Sequence, residues 1–98
     1  SLTDTTMCHN WLLTAPQLQE LISKLDPISG EDWHHLFEHL PCQIIGEIDQ
    51  NGAPYCFAVN GGSWVSISSS DTTLYFGDLQ GRFRERFIRT AWNPEQEK

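Results

Sequence analysis

The residues of this sequence best suited to chemistry are a run of histidines that ends in a cysteine, at positions 34–42. His35 and His39 are four positions apart, so a helix would place both imidazoles on one face, and Cys42 follows soon after. Imidazole nitrogen and thiolate sulfur are ligands that zinc prefers in proteins. These three residues are therefore the candidates for a metal site, and with it for a small zinc-dependent or hydrolytic enzyme.

The surroundings of these residues favour a simpler interpretation. An advance of about 100° per residue places His35 and His39 opposite the apolar stripe of the same helix, in water. Apart from His34 within the same run, no further histidine or cysteine lies close by in the sequence, and Cys8 and His9 would complete the ligand set only if the N-terminus folded back. We therefore expect surface histidines, with no metal and no cofactor.

Nucleophiles and paired acids also lack a supporting pattern. The serines in the middle of the chain do not occur in the G-x-S-x-G turn of serine hydrolases, and Cys56 has no adjacent cation to activate its thiol. Glu47 and Asp49 are two positions apart, so a strand places them side by side in solvent. We expect no catalytic residues, which favours a binding module over an enzyme.

A cluster of arginines near the C-terminus resembles a nucleic-acid contact surface, because aromatic residues interleave with it. The basic patch comprises Arg82, Arg84, Arg86 and Arg89. Residues 1–78, however, carry ten acidic residues and one lysine, and the whole chain has a net charge of −7. Such a field repels phosphate and attracts cationic surfaces. We expect the arginines to pair with the protein's own carboxylates, and a basic protein, not a nucleic acid, to be the partner.

The elements that position these residues follow from the hydrophobic period. Thr14 can cap a first helix, with Gln17 completing a capping box, and apolar residues recur at helical spacing up to the connection at 26–28. Ser29 opens a second helix in the same way, and this helix runs to Leu40 before a proline. Because the connection is so short, we expect an αα-hairpin.

After Cys42 the period falls to two, which predicts a sheet. Asn51-Gly52 is a strong hairpin signal, and further turns at 60–62 and 69–71 divide the chain into a four-stranded antiparallel β-meander. One face of it is expected to be apolar and covered by both helices, through Ile44, Ile48, Phe57, Val59, Val65, Ile67, Leu74 and Phe76. Residues 82–92 fit a C-terminal amphipathic helix better than a strand. The sequence thus predicts a single α+β domain over 1–98, with flexible ends at 1–10 and 93–98.

The three cysteines lack a paired spacing, which is typical of reduced thiols and a cytoplasmic protein. A bridge between Cys42 and Cys56, and an exported mature form, remain alternatives. The sequence contains no run of about 18 apolar residues, so no membrane span is predicted.

The function expected from these observations is non-catalytic protein binding, of the inhibitor, immunity, chaperone or adaptor type. The acidic surface would engage a basic protein, with homodimerisation as a related alternative. The predicted contact residues are two carboxylates and three aromatic residues on the second face of the sheet, Glu47, Asp49, Tyr55, Trp64 and Tyr75.

Overall fold

The structure, a computed structural model, describes residues 8–92. In this range the chain has an α+β fold with a five-stranded antiparallel sheet. The elements in chain order are α1 (Ala15–Lys24), β1 (Asp26–Ile28), α2 (Gly30–Leu36), β2 (Gln43–Gln50), β3 (Ala53–Asn60), β4 (Trp64–Ser68), β5 (Thr73–Gly77) and a 3-10 turn (Arg84–Arg86). Cys8 and His9 are also helical. Of the ends expected to be flexible, 1–7 and 93–98 lie outside the described residues.

Helix α1 begins as its sequence predicts. The Thr14 hydroxyl accepts a hydrogen bond from the Gln17 backbone N–H at 3.3 Å, and the Gln17 side chain accepts one from the Thr14 backbone N–H at 2.9 Å. This capping box satisfies two backbone donors that the first turn leaves free. The helix buries Leu21 completely, and Leu25 directly after it is also buried.

The sheet has five strands, so the prediction of four was wrong. The strand order is β1-β5-β4-β3-β2, and all neighbouring pairs are antiparallel. The additional strand is the connection between the helices, where Asp26, Pro27 and Ile28 pair with the outer edge of β5. Proline is acceptable there because an edge strand has N–H positions that bond to no neighbour.

The αα-hairpin covering one face is also not what the structure contains, because β1 carries the chain round the edge of the sheet. Helix α1 packs on one face, where its leucines meet Val59 and Val65 in the larger apolar cluster. Helix α2 lies on the reverse face, where Trp33 and Leu36 join Ile28 and Trp64 in a second cluster. Each helix therefore covers its own face of the sheet.

Helix α2 ends at Leu36, one turn earlier than predicted. Its start agrees with the sequence, since the Ser29 hydroxyl accepts the Asp32 backbone N–H at 3.0 Å. Phe37 then adopts an extended conformation and packs its ring against Gly77 of β5, where the absence of a Cβ makes room. The buried Asn60 side chain bonds both the N–H and the C=O of Leu40, which holds the following segment extended.

Residues 82–92, predicted to be an amphipathic helix, contain a 3-10 turn and no long helix. Several of their backbone N–H groups bond to other parts of the fold. The buried Asp78 carboxylate accepts the N–H groups of Arg82 and Phe83 at 2.9 and 2.8 Å. The carbonyl of Gly61 accepts both Ile88 and Arg89 N–H groups. The Asp78 side chain and the distant Gly61 carbonyl thus accept N–H groups that a helix would bond to carbonyls four positions earlier.

A disulfide joins Cys8 to Cys42, with the two Cα atoms 5.2 Å apart. The expectation of three reduced thiols was wrong, and so was the alternative bridge between Cys42 and Cys56. Cys56 is free and exposed. Spacing gave no sign of the bridge because the N-terminus reaches Cys42 only through the tertiary fold. Between residues 8 and 92, no helix combines the length and apolar character needed to cross a bilayer.

Candidate partner-binding surface

Among the described residues, α2 and the segment after it cover only part of one face of the sheet, and we call the remaining portion the open face. It begins beyond Trp64 and Gly77, where the aromatic residues of α2 and the segment after it stop. Strand register places the side chains of alternate residues together on it, since Glu47 pairs with Cys56 and Cys56 with Ser68. The open face consists of Ile45, Glu47, Asp49, Cys56, Ala58, Ser66, Ser68, Thr73 and Tyr75.

The chemistry of the open face is apolar and acidic. Ile45, the third residue of β2, is 70% exposed and gives this face a large aliphatic side chain. Glu47 and Asp49 follow it along β2, and both are exposed. Strands β2 to β5 contain no lysine or arginine, so no cation of the sheet itself neutralises these two carboxylates.

A cluster of aromatic rings from α2, the segment after it and the sheet borders the open face. Trp33 stacks on Tyr75 with ring centroids 4.4 Å apart, and His39 packs against Trp33 at 4.2 Å. Trp64 meets Trp33 edge to face at 5.3 Å. Such contacts add to the stability gained by burial and fix the orientation of the Tyr75 ring at the border of the open face.

Two shallow hollows adjoin Glu47 near the end of the sheet. One has a volume of about 480 Å³ and is lined by Glu47, Ile48, Asp49, Gly52 and Pro54. The other, of about 380 Å³, is lined by Glu47, Cys56 and the serines at 68–70. Both present carboxylate or hydroxyl oxygen without a cationic side chain. They are suited to receive the ammonium or guanidinium group of a partner.

The three metal-ligand candidates do not form a shared site. Cys42 is bonded to Cys8, so its sulfur is not available as a thiolate. His39 lies beyond the end of α2, where its Nε2 is 2.9 Å from the Trp33 carbonyl oxygen, while His35 remains exposed on the helix. Among the residues that the structure describes, no three His, Cys, Asp or Glu side chains are arranged to hold a metal ion.

The three aromatic residues expected on the second face of the sheet occupy different environments. Tyr75 lies half-buried at the border of the open face, and Trp64 is only 5% exposed because α2 and the segment after it cover it. The Trp64 indole N–H donates to the Glu38 carbonyl at 3.0 Å, which is a structural contact. Tyr55 pairs with Ile48 and therefore lies on the face that α1 covers.

Three of the four arginines of the basic patch contact oxygen atoms of the protein itself. Arg82 approaches the Asp26 carboxylate at 3.6 Å, and Arg89 approaches Glu38 at 3.8 Å. Arg84 donates to the Gly81 carbonyl, and Arg86 is half-buried. The exposed pairs stabilise the fold by only about 0–1 kcal/mol each, yet they neutralise part of the positive charge.

A second concave feature lies on the opposite face, where α1 leaves the far end of the sheet uncovered. This groove has a volume of about 390 Å³ and a mostly apolar lining, Ile22, Ser23, Ile48, Tyr55, Ile67 and Leu74. Leu74 is 51% exposed there. None of the described residues that line this groove is charged.

Sequence reasoning missed two residues of this surface. Ile45 was detectable, because the alternation that turns Ile44 inward turns its neighbour outward. Trp33 was assigned to a stripe over the apolar face, and only the tertiary path through β1 places it beside Tyr75. Comparison of the chain with protein-family models, with curated proteins and with solved structures finds no match.

Proposed function

We propose that this protein is a non-catalytic binding module whose open face engages a basic protein partner, in the manner of an inhibitor, immunity protein, chaperone or adaptor. The observation that carries the proposal is the combination of exposed Ile45 with the carboxylates of Glu47 and Asp49 on one face of the sheet. Among the described residues, the strands of the sheet contain no lysine or arginine beside these carboxylates. An apolar centre with charged residues beside it is the usual composition of a protein interface.

The charge distribution supports a cationic partner. Carboxylates on the open face act beyond contact distance, since the Debye length at physiological ionic strength is about 8 Å. The arginines at 82 and 89 are drawn toward Asp26 and Glu38, away from the carboxylates of β2. A basic surface approaching β2 therefore meets attraction without competition from a nearby cation of the strands.

The apolar part of the face supports a contact that persists after encounter. Ile45 would lose its exposure on docking, and complete burial of such a side chain contributes about 1.5–3 kcal/mol. Electrostatic attraction would bring the partner to the face, and the isoleucine and the Tyr75 border would provide the apolar contact.

The test is affinity capture from a cell extract of the source organism at two salt concentrations. Wild-type protein, the charge-reversal variant Glu47→Lys/Asp49→Lys and the control Glu85→Lys are immobilised in parallel. Glu85 is an exposed carboxylate on the 3-10 turn, outside the sheet, so the control changes net charge without altering the open face. Captured proteins are identified and quantified by mass spectrometry.

We expect wild type and Glu85→Lys to retain the same basic proteins at about 0.1 M salt and to lose most of them at about 1 M, where the Debye length falls to about 3 Å. The double variant should retain at most about a tenth as much, because its two charges now repel the partner. Equal capture by all three proteins, or capture that does not respond to salt, would remove the proposal.

A further inference from the structure

The edge of the sheet beside the open face is formed by β2, which is the longer of the two edge strands. It spans eight residues, whereas β1 at the opposite edge spans three. Among the described residues, β3 is the only strand that pairs with β2. One side of its backbone thus has no strand partner in this part of the chain, and such an edge is a template for an added strand.

The turn at Asn51-Gly52 determines which backbone groups point outward. Both residues have positive φ, 55° and 84°, as a two-residue type I′ turn requires. In this turn Gln50 and Ala53 form a hydrogen-bonded pair, and bonded and non-bonded pairs then alternate along the regular register to Gln43 and Asn60. The N–H and C=O groups of Ile45, Glu47 and Asp49 therefore point away from β3.

These three residues are also the ones whose side chains lie on the open face. A strand added to β2 would form main-chain hydrogen bonds with them and would place alternate side chains of its own beside Glu47 and Asp49. Lysine or arginine at those positions would meet the two carboxylates and the hollow of about 480 Å³ that Glu47 and Asp49 line.

A second copy of this protein fits the edge less well than a basic strand does. Antiparallel pairing of two β2 strands near their centres places Glu47 directly opposite, or diagonal to, the same carboxylate of the other copy. Like charges in such positions destabilise strand pairing, and charged residues on edge strands commonly prevent self-association.

We propose that the partner binds as an extended segment with alternating basic residues, which adds a sixth strand to the sheet along β2. This inference rests on the proposed function and specifies the structural class of the partner. The hydrogen bonds of the added strand provide affinity, and the match between its cations and Glu47 and Asp49 provides selectivity.

The test uses the intact oxidised protein and three short capped peptides of equal length. In the first, lysine and valine alternate; the second has the same sequence with N-methyl groups on the amides that would donate to β2; the third carries glutamate in place of lysine. Affinities are measured by titration calorimetry, and amide hydrogen exchange along β2 is followed by NMR with and without peptide.

In the free protein we expect the amides of Ile45, Glu47 and Asp49 to exchange faster than those of Gly46 and Ile48. The lysine peptide should slow the first group selectively. N-methylation should weaken binding by about tenfold or more, since it removes several donors at once. Glu47→Lys should weaken binding of the lysine peptide and strengthen binding of the glutamate peptide.

Different failures have different meanings. Equal binding of the N-methylated peptide, or no selective protection of the three outward amides, would overturn strand addition while leaving charge-dependent binding on the open face intact. Failure of the lysine peptide to bind at all would also overturn it. Protection of the three amides in the free protein, together with a dimer in sedimentation, would show that a second copy occupies the edge and would overturn it as well.

Discussion

Asn60 illustrates how single residues hold this fold together. Its side chain is 1% exposed, and its amide oxygen accepts the N–H groups of Leu40 and Gly62 while its amide nitrogen donates to the Leu40 carbonyl. The sequence indicated only that Asn60 begins a turn. Its bonds to a segment 20 positions earlier depend on the folded chain, which no local pattern encodes.

We predict that Asn60→Ala lowers the free energy of unfolding by about 2–3 kcal/mol, because the buried N–H of Gly62 and the partly buried N–H of Leu40 lose their acceptor. Urea denaturation followed by tryptophan fluorescence measures the change. Asn10→Ala, at an exposed position, is the control and should shift the value by no more than about 0.5 kcal/mol. Equal effects of the two substitutions would contradict the assignment of these hydrogen bonds.

Two glycines, Gly30 and Gly52, provide a test of the backbone conformation of the turn at Asn51-Gly52. A Cβ added at Gly30 or at Gly52 would meet no atom within 4 Å, but only Gly52 has a positive φ, +84°. Gly52→Ala should therefore destabilise the protein by about 1 kcal/mol or more, whereas Gly30→Ala at the start of α2 should be neutral or stabilising by up to about 1 kcal/mol. Thermal unfolding compares them, and a stabilising Gly52→Ala would contradict the turn type.

At the scale of elements, local signals predicted where helices begin better than where they end. The caps at Thr14 and Ser29 depend on side chains within three positions, so they were readable from the sequence. The end of α2 depends on Phe37 packing against Gly77, which lies 40 positions later. For the same reason, the apolar stripe after Arg82 predicted a helix where tertiary hydrogen bonds hold an irregular segment.

The two faces of the sheet also differ in how far the sequence predicted them. Alternation correctly grouped the eight apolar residues from Ile44 to Phe76, which the strand register places on one face. The assignment of α2 to that face failed because residues 26–28 were interpreted as a loop between adjacent helices. A three-residue edge strand containing proline has too few positions to display a period of two.

The disulfide links Cys8, near the start of the described chain, to Cys42, which directly precedes β2. Its removal should lower the free energy of unfolding. The bridge closes a loop with a sequence separation of 34 residues. The lost loop-closure entropy should lower the free energy of unfolding by about 4 kcal/mol in Cys8→Ser/Cys42→Ser. In Cys56→Ser, at an exposed free thiol, the free energy of unfolding should change little. Urea denaturation without reductant measures both.

An independent count of thiols accompanies that measurement. Of the three cysteines, the unfolded oxidised protein should alkylate only at Cys56, and all three should alkylate after reduction. Alkylation at three positions without reductant, or an unchanged denaturation midpoint in the double variant, would contradict the bridge.

At the scale of the whole molecule, charge is the property of the sequence on which the proposed function depends most directly. The excess of acids over residues 1–78 led to the expectation of a basic partner. It could not identify the surface, because carboxylates from distant positions play different roles in the fold. Asp78 is buried as a cap for the C-terminal segment, Asp26 and Glu38 pair with arginines, and Glu47 and Asp49 remain on the open face.

The central claim is that the open face, and not the apolar groove on the other side, contacts the partner. The most direct measurement is photocrosslinking from a single thiol on each face. A benzophenone maleimide is attached to Cys56 on the open face, or to Ser23→Cys in a Cys56→Ser background, which places the probe beside the groove. Both proteins are irradiated in an extract of the source organism.

We predict crosslinks to basic proteins from Cys56, abolished by Glu47→Lys/Asp49→Lys, and few from position 23. Crosslinks from position 23 alone would contradict the account.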